Sequence, residues 1–426
     1  MMKRRTKIVI TIGPAIARKL KSALKKVDIV RFNFSHGTHE QHKAYLDMVK
    51  DIERKLGKSI TTIADLKGPE IRTKNKNKIE VKKGDVITLK EIGIKRFKEL
   101  KNGDRVLIDD GTIRGIYEEG NILILNNGEI TTRRKVTFPG INISLPVISE
   151  EDKKDINFIN KHDFNIIAQS FVRNPNDVKK LRKITKKYII AKIEHPMGVR
   201  YVEEIAKISD GLMVARGDLG IEMDYADVPI VQRQIINIGR KYGKPIIVAT
   251  HMLKSMVQSI SPTRAEVNDI AIAVYEGADA VMLSDETTKG LYPLEAINVI
   301  DKVVKRIEKE KYEVEKIRNK DVKSIMVKQA IKLSEILNIP IITFTTHGTT
   351  PRLLSSLRPN NNIYVFTKKE VVIKYLNIFF GIVPIKYENK LDIKNIKSIL
   401  KKANIKHGII VAGFPKHKET NTLILM

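Results

Sequence analysis

Short apolar, β-rich runs recur along the first two thirds of the chain. They are KIVIT (7–11), DIVRF (28–32), SITTIAD (59–65), NIIAQS (165–170), YIIAKIE (188–194), DGLMVA (210–215), PIIVAT (245–250) and DAVMLS (279–284). Helical patterns lie between most of them, at 40–56, 174–187, 197–208, 228–242 and 262–276. Pro175 and Pro262 stand near helix starts, and Ser149-Glu150-Glu151-Asp152 has the spacing of a capping box. Alternating β and α units predict a parallel sheet, and eight of them predict an α/β fold closed as a (β/α)8 TIM barrel.

One interval breaks the rhythm. From about Thr73 to Phe138 the chain turns to short strands punctuated by Lys83-Gly84-Asp85, Asn102-Gly103-Asp104, Asp110-Gly111 and Asn127-Gly128. Such punctuation marks tight turns between antiparallel strands. The expectation is a small all-β domain inserted after the third barrel strand, placed to serve as a lid. Beyond Glu310 a lysine- and glutamate-rich helix leads into a third unit. Its expected strands lie near IPIITF (339–344), NIYVF (362–366), GIVPI (381–385) and HGIIVAGF (407–414), making a C-terminal α/β domain. The domain division is therefore 1–72 and 139–310 for the barrel, 73–138 for the inserted β-barrel lid and 311–426 for the last domain.

Composition narrows the chemistry. The chain has 426 residues, no Cys and no Trp, which excludes disulfides, thiolate metal sites and a cysteine nucleophile. MMKRRTKIVITIG is basic and then apolar, but its apolar run is too short for a signal peptide. No stretch approaches the ~20 apolar residues of a membrane span. A cytoplasmic protein is expected. The net charge of +29 raises the question of nucleic acid. However, the lysines are spread along the whole chain and aromatic residues are not interleaved with them, so no dedicated nucleic-acid partner is expected. A positive field also attracts small anionic substrates.

In a barrel of this kind the site lies at the carboxyl ends of the strands. Those ends carry Arg31-Phe32-Asn33-Phe34-Ser35-His36-Gly37, Asp65-Leu66-Lys67-Gly68-Pro69-Glu70 with Arg72, Lys192 and Glu194, Arg216-Gly217-Asp218-Leu219-Gly220, Thr250-His251, and Ser284-Asp285-Glu286. A lone Lys192–Glu194 pair would read as a surface salt bridge; six polar strand ends on one rim read as a site. Glu194 and Asp218 are hard oxygen ligands suited to Mg²⁺ or Mn²⁺. The Gly217 and Asp218 amides stand where a loop turns into a helix, a place for a carboxylate or phosphate. Arg31 and Lys192 supply cations. The set fits phosphoryl transfer or Mg²⁺-stabilised enolate chemistry.

These stretches resemble pyruvate kinase. TKIVITIGPA (6–15), VRFNFSHG (30–37), KGPEIRT (67–73), IIAKIE (189–194), SDGLMVARGDLGIE (209–222), PTRAEVNDIA (262–271) and KGLYPLEA (289–296) stand in that family's order. The resemblance covers the barrel densely, the inserted domain mainly through Asp109-Asp110-Gly111 and the last domain loosely. It implies transfer of the phosphoryl group of phosphoenolpyruvate to ADP, the last step of glycolysis. It further implies Mg²⁺ on Glu194 and Asp218, Lys192 facing the transferring group, Arg31 holding it, and the Gly217 and Asp218 amides on the substrate carboxylate. Thr250 falls near the carbon to be protonated. Asn33, Ser35, Asp65 and the Leu66 carbonyl match a K⁺ site, with Glu70 typical of K⁺-dependent members. Asn33, His36 and Arg72 fall at nucleotide positions. A homotetramer is implied too. Thr345-Thr346-His347-Gly348-Thr349-Thr350-Pro351, read as a loop before a helix with Pro at its first position, resembles the loop for a phosphorylated allosteric effector, beside a shortened final loop, Gly413–Thr420; an unregulated domain is the other reading.

The chain departs from the family's pattern in places. His251 replaces Gln, Lys254 replaces Glu, Asp285 replaces Gly, Glu151 stands at a frequent nucleotide-contacting Lys, and the segment 12–30 is short. None of these removes a metal ligand or the phosphoryl lysine. A Mg²⁺-dependent lyase would not need the FNFSHG and KGPEIR segments or the inserted domain. A nucleic-acid-binding scaffold would not need Lys192, Glu194 and Asp218 together.

Overall fold

The computed structural model describes residues 4–310, 321–388, 393–412 and 422–425. Eight strands close a barrel: β1 (Lys7–Thr11), β2 (Ile29–Asn33), β3 (Thr61–Asp65), β4 (Ile166–Gln169), β5 (Tyr188–Ile193), β6 (Gly211–Ala215), β7 (Ile246–Ala249) and β8 (Ala280–Leu283). Every neighbouring pair is parallel, and β1 joins β8. These are the eight runs expected from the sequence, and the fold class is the one expected.

Side-chain alternation sorts each strand into two layers. Ile8 and Ile10 pack outward against the helices, whereas Val9 joins Ile29, Ile63, Ile190, Met213 and Ile247 inside the barrel. The parity then decides the rim. Arg31 follows inward Ile29 by two residues, Asp65 follows Ile63, and Lys192 and Glu194 continue the row of Ile190. Each charged side chain is therefore turned toward the barrel axis by the same alternation that buries its apolar predecessor.

The helices differ in detail from the expected patterns. His39–Leu56, Val228–Lys241 and Arg264–Tyr275 match closely. The 174–187 pattern stops at Arg182, and 197–208 splits into Pro196–Arg200 and Val202–Ile208, with Tyr201 leaving helical geometry between them. The capping box at Ser149 is present, Asp152 serving as its third helical residue.

The interval after β3 forms two antiparallel sheets. One pairs Ile79–Val81 with Gly128–Ile130. The other has six strands in the order Ile71–Arg72, Lys135–Thr137, Arg105–Ile108, Ile113–Glu118, Asn121–Ile124 and Val86–Thr88. Val106, Ile108, Ile113, Tyr117 and Ile122 fill its core. Of the four turn signals, only Asp110-Gly111 joins strands that pair with each other. Lys83-Gly84-Asp85 and Asn127-Gly128 instead carry the chain between the two sheets, and Asn102-Gly103-Asp104 leads into a strand. A tighter hairpin stands at Glu119-Gly120, with φ of 50° and 97°. That double positive φ is what a two-residue hairpin with right-handed strand twist requires.

The C-terminal unit is a parallel sheet of Ile382–Lys386, Ile363–Thr367, Ile341–Phe344 and Ile409–Ala412, closed by an antiparallel edge strand, Thr422–Leu425, that the sequence reading lacked. Thr349–Ser356 is helical after Gly348, so Pro351 is its third residue and not its first. The expected helix just beyond Glu310 (311–320) and the loop Gly413–Thr420 lie outside the described residues.

Candidate active site

A cleft of about 1440 Å³ opens at the carboxyl ends of the barrel strands, bounded by the inserted domain. At its floor β2, β3 and β5 deliver four charges into one network. Asp65 is buried; its Oδ2 accepts from Arg31 Nε at 2.6 Å and its Oδ1 lies 3.0 Å from Lys192 Nζ. Arg31 also donates to the Thr11 hydroxyl at 3.0 Å. Lys192 Nζ donates to Ser170 Oγ at 2.8 Å and stands 3.0 Å from Glu194 Oε1. Burial alone would lower the Lys192 pKa, but the Asp65 and Glu194 carboxylates outweigh it and hold the ammonium above the usual lysine range.

Glu194 is 1% exposed, and its Oε2 accepts the Phe171 amide at 2.7 Å. Burial pushes its carboxyl up, with Lys192 opposing. Asp218 moves the other way: burial works against ionisation, yet Lys135 and Lys192 hold its carboxyl below the usual range. Asp218 Oδ1 accepts a hydrogen bond from Lys135, a residue of the inserted domain.

The fit to a divalent cation can be tested on these atoms. Glu194 Oε1 and Asp65 Oδ1 are buried and receive no well-directed hydrogen bond. Among the described residues no group of three or more His, Asp or Glu side chains is arranged to hold a metal alone. A pair of carboxylates, one with an oxygen that meets an ammonium but accepts no directed hydrogen bond, suits an ion such as Mg²⁺, which keeps waters and takes its remaining ligands from substrate phosphate. Glu194 and Asp218 fit that description.

The helix Arg216–Glu222 begins directly after β6. The Gly217 amide donates to Thr250 Oγ1 at 2.8 Å. Thr250 and His251 both have positive φ, 68° and 56°, an unfavourable region for a β-branched residue. Arg216 holds this turn, donating to the Thr250 carbonyl at 2.6 Å and pairing with Asp269 at 2.6 Å. Glu286 supports it from the short helix Asp285–Thr288 that follows β8, accepting the Leu253 and Ser284 amides at 3.0 and 2.7 Å.

Arg31, Asp65, Lys192, Glu194, Gly217, Asp218 and Thr250 thus come together at one mouth. Asn33, Ser35, His36 and Arg72 line the same cleft; Asp65 lies buried beneath that lining, bonded to Arg31 and Lys192, and Leu66 is not part of it. Asn33 is the strand partner of Asp65, and its Oδ1 accepts the Ser35 amide at 3.2 Å. The Leu66 carbonyl accepts the Ser170 hydroxyl at 2.6 Å. Arg72 is engaged by Glu70 at 2.6 Å and by the Arg133 carbonyl at 2.8 Å. Glu151 pairs with Lys67 at 2.8 Å. Three participants escaped the sequence reading. Thr11 and Ser170 end β1 and follow β4, so the strand-end rule could have found them. Lys135 could not be found that way, because nothing in the basic run TRRK marks which cation turns toward the barrel.

The fold and this rim place the chain among (β/α)8-barrel enzymes. Family models for the pyruvate kinase barrel domain and the pyruvate kinase alpha/beta domain match residues 3–297 and 324–426. A pyruvate kinase of Staphylococcus aureus (strain MRSA252) is 36% identical over 471 aligned positions, which cover 99% of this chain and 80% of that protein. A crystal structure of a pyruvate kinase from Cryptosporidium parvum superposes with a TM-score of 0.91 at 31% identity, over 100% of this chain and 96% of that one. The chain belongs to the pyruvate kinase family and is a phosphotransferase.

Proposed function

We propose that the protein transfers the phosphoryl group of phosphoenolpyruvate to ADP, giving pyruvate and ATP, as the last step of glycolysis in the cytoplasm. The observation that carries this reading is Lys192. Its ammonium is held at 3.0 Å from both Asp65 and Glu194, beside Arg31, at the mouth of the barrel. Phosphoryl transfer asks for positioned positive charge more than for covalent help.

In this reading Arg31 binds the phosphate and Lys192 stabilises its charge as it moves. The Asp218 amide, joined by the Gly217 amide once that leaves Thr250 Oγ1, holds the carboxylate at a helix start. Glu194 and Asp218 hold Mg²⁺ or Mn²⁺, which when bound neutralises charge on the phosphate and enolate oxygens. Thr250, held by Arg216 on its carbonyl, by its own hydroxyl bond to the Ala249 carbonyl and by its strained backbone, stands at the carbon to be protonated. Asn33, His36 and Arg72 contact nucleotide; Asn33, Ser35, Asp65 and the Leu66 carbonyl hold K⁺. For Arg72 to reach a phosphate it must leave Glu70.

The test follows pyruvate formation from phosphoenolpyruvate with ADP, Mg²⁺ and K⁺, in wild type and Lys192→Met. Losing one positioned cation is expected to cost roughly 10³-fold or more in rate. A variant as fast as wild type, or an inert wild type, overturns the reading. Turnover that survives replacement of K⁺ by a large organic cation overturns the K⁺ site alone. A homotetramer and a phosphorylated effector in the C-terminal unit belong to the same proposal. Exposed Val322, Ile325 and Ile336 along one helix support self-association, and sedimentation at the mass of one chain would overturn it.

A further inference from the structure

We propose that Lys135 is a built-in counter-ion for Asp218 that the divalent cation must displace, so that metal binding and release of the inserted domain from the barrel mouth are one linked step. This rests on the reading of Asp218 as a metal ligand.

The contact is a built one. Lys135 begins the strand Lys135–Thr137 of the six-stranded sheet, and its side chain is 14% exposed. Its ammonium bonds Asp218 Oδ1 and also stands 5.0 Å from the centre of the Phe171 ring, within cation–π range. Phe171 has a φ of 51°, and its backbone amide is the one that fixes Glu194. One residue after β4 therefore holds one carboxylate with its amide and seats the opposing lysine with its ring.

Charge balance says what the contact does. Three carboxylates, Asp65, Glu194 and Asp218, face three cations, Arg31, Lys192 and Lys135. Lys192 and Arg31 belong to the barrel; Lys135 alone comes from the inserted domain. Among the described residues its pairing with Asp218 is the only ion pair joining residues 73–138 to the barrel. An ammonium and a divalent ion on one carboxylate would repel across a few ångströms in a poorly solvated site. Occupation of Asp218 by the ion thus works against the lysine, and by reciprocity the lysine weakens the ion's binding by the same factor. The inserted domain rests on the mouth until metal arrives, and then its tether is cut.

The experiment measures Mn²⁺ binding to the full chain without substrate, by electron paramagnetic resonance of the free ion. It compares wild type, Lys135→Met, Lys135→Arg and Asp218→Asn. Hydrogen exchange over residues 133–140 is recorded with and without Mn²⁺. Lys135→Met is expected to bind Mn²⁺ about tenfold more tightly or better, and Lys135→Arg, which keeps the charge, to bind like wild type. Mn²⁺ should speed exchange over 133–140 in wild type, and Lys135→Met should exchange fast already. Equal affinities for wild type and Lys135→Met, with binding lost in Asp218→Asn, overturn the tether and leave the metal site standing. Affinity unchanged in Asp218→Asn, while wild type still forms pyruvate, removes the metal site and the tether together and leaves the kinase reading intact.

Discussion

Glu222 lies where the inserted domain returns to the barrel, its Oε2 accepting the Gly140 amide at 3.1 Å. It is 8% exposed, and burial pushes its carboxyl up to about 7, with the Gly140 bond opposing. The folded pKa exceeds the unfolded one, so between roughly pH 4.5 and 7 the native state binds the extra proton. This group's contribution to stability is complete below that window and lost as pH rises through it. A shift of that size corresponds to about 3 kcal/mol. Glu222→Gln keeps an acceptor for Gly140 and removes the titration. Urea denaturation is expected to find the two proteins nearly equal at pH 4.5, with the variant more stable at pH 8. Parallel pH profiles would show that Glu222 does not stay protonated in the fold.

At the scale of elements, the sequence was most informative where packing leaves little choice. Each barrel strand is buried on both faces, so its composition alone declared it, and the inward row Ile29–Arg31 or Ile190–Lys192–Glu194 followed from parity. Turns were less legible. Gly and Asn mark where a chain can reverse but not which strands then pair, which is why two turn signals proved to be crossings between sheets. Lys135 was illegible for the same reason, since its direction depends on the register of Lys135–Thr137 with Ile71–Arg72 and Arg105–Ile108. Short-range geometry at the helix Arg216–Glu222 permits a sharper test. A Cβ added at Gly217 would meet Thr250 Oγ1 at 3.5 Å and His251 Cε1 at 3.8 Å, ordinary contacts that leave the fold intact. The added methyl would stand over the proposed carboxylate cradle. Gly217→Ala is expected to unfold within about 1 kcal/mol of wild type, since Ala suits a helix better than Gly. Its KM for phosphoenolpyruvate should rise about tenfold, the effect of losing roughly 1.4 kcal/mol of binding. An unchanged KM would place the carboxylate elsewhere.

The whole molecule is joined at the end of the barrel away from the cleft. Ile378, from the C-terminal unit, is fully buried in the barrel's inner cluster beside Val9, Ile29, Ile63 and Ile190. Polar bonds surround it. Asn377 donates to the Asp28 and Ser59 carbonyls at 3.0 and 3.2 Å, and Lys7 Nζ donates to the Ile382 carbonyl at 2.6 Å. Asp279, before β8, accepts the Phe380 amide at 2.9 Å and pairs with Arg358 at 2.8 Å. The barrel core and the C-terminal unit therefore share one buried surface, and neither should unfold without exposing the other. Ile378→Ala removes the plug and leaves a cavity inside the barrel, a change that costs about 2–5 kcal/mol in well-packed cores. Guanidinium denaturation should show a single transition shifted to lower denaturant with its slope unchanged. Ile336→Ala, on the exposed face of the helix Val322–Leu337, should stay within about 0.5 kcal/mol of wild type when assayed as a dilute protein. If Ile378→Ala instead splits the transition in two, the C-terminal unit is a separate folding body. A shift no larger than that of Ile336→Ala would mean the barrel's inner core closes without it.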